Sequence, residues 1–121
     1  MRLSANTRQA GAVTIVDMRG RIVLGQESAS LRSLVSDLLS QGHNQILLNF
    51  AHVDYIDSSG VGYLVGVFTT VRSQKGELKL LNPTKTVQEL MHKTKLDTIF
   101  DIKDNEAAAL GSFTKSGNTT A

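Results

Sequence analysis

Apolar positions along this chain fall into blocks of two periods. Ala12–Met18, "AVTIVDM", is rich in β-branched residues and reads as a strand. Gly20 reads as a turn, and Arg21–Leu24, "RIVL", as a second short strand ended by Gly25, so the pair reads as a hairpin. In "SASLRSLVSDLLSQG" the residues Leu31, Leu34, Val35, Leu38 and Leu39 recur at i, i+3, i+4, i+7 and i+8, one stripe of a helix. Ser28 or Ser30 can cap its start, and Gly42 fits its end. Gln45–Phe50, "QILLNF", is a compact apolar run that predicts a strand buried on both faces. A second helical stripe follows in Val61, Leu64, Val65, Phe68 and Val71, stopped near Gly76. Glu77–Asn82 reads as a strand broken by Pro83. The next run, "TKTVQELMHKTK", predicts a helix capped near Thr84 with Val87, Leu90 and Met91 inward. Thr98–Ile102 reads as a short last strand, and "DNEAAAL" as a last helix with acids in its first turn. Leu34, Leu38, Leu47 and Leu64 are predicted core residues. Strand, helix and strand in alternation point to crossovers within one sheet.

The chain has 121 residues, enough for one hydrophobic core and too few for two. With aromatics at 5% and no Trp, that core must be built from Leu, Val and Ile. Lys and Arg number 13 against 11 acids, a formal net charge of +2, and no basic run interleaves with aromatics. Nucleic-acid binding is therefore not expected. The absence of cysteine excludes disulfides, thiolate zinc sites and cysteine nucleophiles. "MRLSANTRQAG" has no apolar signal-peptide region, and no apolar run is long enough for a membrane span. A cytoplasmic protein is the expectation.

Candidate chemistry concentrates in "VDYIDSSGVGYLVGVF", residues 53–68. Asp57 or Ser58 is placed to cap the helix, satisfying backbone N–H groups that have no partner in its first turn. Capping does not account for Gly60 and Gly62, because glycine within a helix costs roughly 1 kcal/mol relative to alanine. Small residues there imply a close approach to the backbone or an irregular first turn. Three readings compete: a structural cap, a loop cradling a phosphate, and a regulatory serine presented at a helix start. The second is the weakest, because neither the Walker pattern nor G-x-G-x-x-G is matched. Tyr63 and Val67 lie off the inward stripe, so they either form an exposed docking ridge or pack under a neighbouring element.

The motif, together with "KGELKLLNPTKTVQELMHKTKLDTIFDI" at residues 75–102, resembles the STAS domain of bacterial anti-sigma factor antagonists. The resemblance covers about residues 10–112 in order and spacing. It implies an α/β fold: a single STAS-like domain over residues 1–112, with a mixed β-sheet and packed α-helices. The small, polar end of the chain reads as a disordered tail over 113–121. The resemblance also implies a switch. The unmodified antagonist binds an anti-sigma factor that is a serine kinase of the histidine-kinase-like ATPase type, and so frees a sigma factor. Phosphorylation ends that binding, and a serine phosphatase restores it. The acceptor by the family motif is Ser58. The partner-binding surface expected around it comprises Asp57, Ser58, Ser59, Gly60, Val61, Gly62, Tyr63 and Val67. The chain departs from the family at Val23, where an acidic residue often stands in a G-x-[LI]-D pattern. That departure bears on contacts made through the acid.

The remaining candidates point away from catalysis. His43, His52 and His92 share no ligand spacing, so no metal is expected. Asp54 and Asp57 lie three apart in what reads as a loop, but no nearby His, Lys or Cys completes an acid–base set. The chain reads as a binding module without enzymatic activity and without a cofactor. The rival readings are a STAS scaffold or accessory subunit of a stress-signalling or lipid-transport complex, and, more weakly, a nucleotide-binding domain.

Overall fold

Two long parallel strands organise the chain. β2 (Val13–Ile22) and β3 (Gln45–Ile56) pair side by side. β1 (Ser4–Ala10) lies antiparallel on the outer edge of β2, and β4 (Glu77–Leu81) and β5 (Asp101–Lys103) extend the sheet in parallel beyond β3. The resulting five-stranded sheet runs in the order β1-β2-β3-β4-β5. This computed structural model describes residues 4–22 and 26–113, with the backbone alone for residues 26–30 and Ser58.

Each parallel connection carries a helix: α1 (Gln26–Ser40), α2 (Ser58–Ser73) and α3 (Lys85–Lys93). Successive crossovers of one hand step along the sheet in one direction, so all three helices land on the same face. There Leu31, Val35, Leu38, Leu64, Val71, Val87 and Met91 pack against Val16, Met18, Ile46, Leu48 and Phe50. The other face is covered in part by α4 (Glu106–Gly111), where Ala109 and Phe113 close over Val13, Ile15, Leu47 and Leu81. Leu47 and its neighbours Ile46 and Leu48 thus point into two different cores, which explains the unbroken apolar run in β3. Leu38, Leu47 and Leu64 are buried as predicted, and Leu34 is partly buried.

Several sequence expectations need correction. Ala12–Met18 and Arg21–Leu24 are not the two arms of a hairpin. Val13–Ile22 is one strand, and Gly20 lies within it at φ 115°, beside a register shift. The glycine serves a positive φ opposite an extra residue of β3, not a turn. The true hairpin partner is β1, "SANTRQA", whose exposed edge position leaves it no apolar alternation to read. The strand over 45–50 runs on to Ile56, so Asp54 lies in a strand. Thr98–Ile102 is a 3-10 turn, Leu96–Thr98, followed by β5, because Phe100 turns into the helical core to meet Phe68 edge-on at 5.0 Å. Thr84 holds the N-cap position of α3 but does not cap it; its hydroxyl donates to the Val53 carbonyl at 3.1 Å. Phe113, assigned to the tail, is buried. The expectation of disorder over 114–121, and those on Val23, Leu24 and Gly25, fall outside the described residues.

Ion pairs fasten α4. Arg8 on β1 bonds both Asp17 on β2, at 2.7 Å, and Glu106 on α4, at 2.6 Å. Lys79 is buried, pairs with Asp101 at 2.8 Å, donates to the Ser112 carbonyl at 3.0 Å and lies over the Phe113 ring. Hydrogen bonds from Arg8 hold the Asp17 and Glu106 carboxyls below their usual range, and that from Lys79 does the same for Asp101.

Two outcomes follow from this packing. Leu64→Ala should cost about 2–5 kcal/mol, measured as a lower urea midpoint at unchanged slope. The lowered carboxyls contribute stability that is complete above their ordinary values of 3.8 and 4.5 and is lost as pH falls below them. Melting temperature should therefore drop on acidification through that range, and Arg8→Met should flatten the drop. An unchanged acid profile in Arg8→Met would show that the network does not hold α4.

Candidate functional site

α2 begins where β3 ends, and its start is held from two sides. Asp57 adopts an extended backbone at φ −95° and ψ 178°, and its Oδ1 accepts the Gly60 N–H at 2.6 Å. Of the two capping residues open to the sequence, the cap is Asp57. Its own N–H donates to the Ile22 carbonyl at 3.3 Å, so the helix start is also tied to the end of β2. Ser58 is the first helical residue.

The two glycines have different reasons. A Cβ on Gly60 would lie 2.2 Å from the Ile22 carbonyl oxygen and 2.9 Å from Ile56 Cγ1. Only glycine lets the first turn of α2 seat against β2 at this distance. Gly62 is exposed, and a Cβ there would meet nothing within 4 Å. Packing does not account for it.

The expected partner-binding residues do not share one surface. Ser59 and Gly62 are exposed, Val61 and Tyr63 are partly buried, and Gly60 is buried against the sheet. Val67 is 3% exposed and belongs to the core, so it is no part of a docking ridge. The reason is α1, which lies alongside α2: Val35 and Val67 line the same groove between the two helices, with Arg32 and Thr70 at its rim. Helix α2 is apolar over a wide arc because it faces the sheet, α1 and Phe100 at once. Tyr63 packs at this junction too. Its hydroxyl is buried without a well-formed partner among the described residues, the Arg32 backbone offering a weak one, and burial pushes its pKa up to about 12.

Gly66 was not singled out by sequence. It lies one helical turn beyond Gly62, is equally exposed, and would also accept a Cβ without contact. The spacing of four between the two glycines was the available signal. Among the described residues no group of His, Asp and Glu is arranged to hold a metal ion, and no helix is long and apolar enough to cross a membrane. His43 approaches Gln9, and His92 pairs with Asp97 at 3.0 Å. The Asp57 carboxylate already occupies the Gly60 amide, a donor that a phosphate cradled by this helix start would need.

Fold and site together define a small α/β domain that presents a carboxylate-capped, serine-bearing helix start at the end of a mixed sheet. The STAS domain model matches residues 4–109, and the chain belongs to that family. It is 38% identical over 72 residues to the anti-sigma-B factor antagonist of Bacillus subtilis, a match spanning 60% of this chain and 65% of that protein. It is 31% identical over 65 residues to the anti-sigma F factor antagonist of Paenibacillus polymyxa, spanning 54% and 56%. In backbone it is similar to a candidate anti-sigma factor antagonist of Thermotoga maritima, with TM-score 0.82 at 24% identity over 90% of this chain and 93% of that one. The phosphorylated form of the Bacillus protein SpoIIAA superposes with TM-score 0.68 at 22% identity, over 89% and 97%. These structural likenesses concern the fold.

The two glycines make opposite predictions. Gly60→Ala should destabilise by about 1–3 kcal/mol, because the obstructing atom is backbone and cannot swing away. Gly62→Ala should stabilise by up to about 1 kcal/mol through helix propensity alone. Thermal melts of the two variants check this; equal shifts would mean that α2 does not seat on β2 through Gly60.

Proposed function

We propose that this chain is an anti-sigma factor antagonist that works in the cytoplasm by binding, without catalysis of its own, and is switched at Ser58. Unmodified, it binds an anti-sigma factor of the histidine-kinase-like ATPase type through the start and exposed face of α2, and a sigma factor is released. That partner phosphorylates Ser58, which ends the binding, and a serine phosphatase reverses the modification. Support comes from the relatives with antagonist names and from the family motif around Ser58.

The observation that carries the reading is the division of labour at the helix start. Asp57 holds the cap, so the Gly60 amide does not depend on the Ser58 hydroxyl. A modified Ser58 would leave that bond in place. Phosphate adds about −1.5 to −2 charges at neutral pH, directly beside the Asp57 carboxylate. The helix dipole moderates this charge within the domain, but a partner packed over Ser59, Gly62 and Gly66 must desolvate it. A binding loss of about 3 kcal/mol corresponds to roughly a hundredfold in affinity. Glycines at positions 62 and 66 suit a partner that approaches the helix backbone closely.

The test compares two variants against a purified anti-sigma factor kinase. Ser58→Ala should melt with the unmodified protein, bind the kinase, and accept no phosphate. Ser58→Asp should keep the fold and bind more weakly, with less effect than true phosphoserine because its charge is smaller. Calorimetric titration alongside melting curves reads both. If the kinase phosphorylates the chain elsewhere, or binds phosphorylated and unmodified protein equally, the switch at Ser58 is wrong.

A further inference from the structure

Among the described residues, the sheet face opposite α1–α3 is only half covered. α4 closes its lower part, and the outer ends of β2 and β3 project beyond β4, which stops at Leu81. On this projecting ribbon β3 carries extra residues relative to β2: the register passes from Asp17↔Asn49 to Arg19↔His52, and from Gly20↔Val53 to Arg21↔Tyr55. Each irregularity re-aims side chains. Their result is that His52 stands beside Arg19 and Tyr55 beside Arg21, all exposed, while Val53 and Ile56 turn into the helical core.

The cations here differ from the others on the sheet. Arg8, Lys79 and Lys103 are each paired with carboxylates. Arg19 and Arg21 pair with none among the described residues, and Asp54, exposed at the second irregularity, pairs with neither. Instead the Arg21 guanidinium lies over the Tyr55 ring, 5.7 Å from its centroid. Stacking holds the planar fork in place and leaves its N–H edge free for a bidentate acceptor. Tyr55 remains 42% exposed, one of the few large apolar side chains left open.

We infer that the Arg19–Arg21–His52–Tyr55 face docks an extended acidic segment of a partner protein, with carboxylates on alternate residues. Arg19 and Arg21 stand two apart on one strand, so their stems are separated by about 6.5–7 Å. Alternate side chains of an extended peptide share one side at the same spacing, and two carboxylates match two guanidinium groups. Nucleic acid fits less well, because two free arginines make a short footprint on a phosphate backbone. This face lies across the sheet from the helices, with its Arg21–Tyr55 end next to the start of α2. The inference stands independently of the Ser58 switch.

The probe is a fluorescein-labelled octapeptide alternating glutamate and serine, with its glutamine counterpart and single-stranded octathymidylate as controls. Amide shifts in the full-length protein should concentrate at residues 19–21 and 52–55. Anisotropy should show binding that weakens with salt and falls about tenfold in the Arg19→Ala/Arg21→Ala double variant. Tyr55→Ser, which keeps both arginines, should also weaken binding, and covers the case in which the double variant misfolds. Undetectable binding, shifts on α2 or α3, equal affinity for the glutamine peptide, undiminished binding by the variants, or tighter binding of octathymidylate would each overturn the inference.

Discussion

The first turn of α2 rests on the last residues of β2, and much of the molecule is arranged around that contact. The Ile22 carbonyl receives the Asp57 N–H on one side and abuts the Cα of Gly60 on the other. The contact needs a glycine, a cap that leaves the turn regular, and a β2 long enough to reach the end of β3. All three are present. It sets the height of α2 on the sheet, and through α2 the positions of α1 alongside Val67 and of Phe100 against Phe68.

The same arrangement separates what holds the helix from what it displays. Asp57 and Gly60 serve the fold, while Ser59, Gly62 and Gly66 are exposed and carry no packing duty. An interface built from such positions can change charge at low cost to stability, because the groups that anchor the helix are different groups. A phosphate-controlled binding surface needs that separation: a modification that broke the cap would switch binding by loosening the domain.

The two sheet faces are stabilised by different physics. Under α1–α3 the core is aliphatic, with Phe50 and Phe100 as its large members. Under α4 the apolar cluster is small, and charged groups complete the attachment: Arg8 joins β1, β2 and α4, and Lys79 joins β4, β5 and the end of α4. Neither is an isolated surface pair, since each cation has more than one partner. Where those attachments stop, the ribbon of β2 and β3 is exposed and its arginines have no carboxylate partner among the described residues.

Periodic signals carried the sequence reading a long way. The stripes through Leu31–Leu39 and Val61–Val71 and the run Ile46–Leu48 specify helices and a buried strand locally, because burying one face demands a fixed repeat whatever the neighbours are. Asp57 and Gly60 were also legible, since helix starts need caps and tight contacts need glycine. Tertiary structure decided the rest. β1 has no apolar repeat because only its pairing with β2 makes it a strand, and Gly20 is no turn because β2 continues through it beside a register shift. Val67 was open to two readings while α2 was counted as having one buried side; α1 gives it a second and buries it. Phe113 is core because α4 folds back over Leu47 and Leu81, and a one-dimensional pattern does not record which distant residues will cover which.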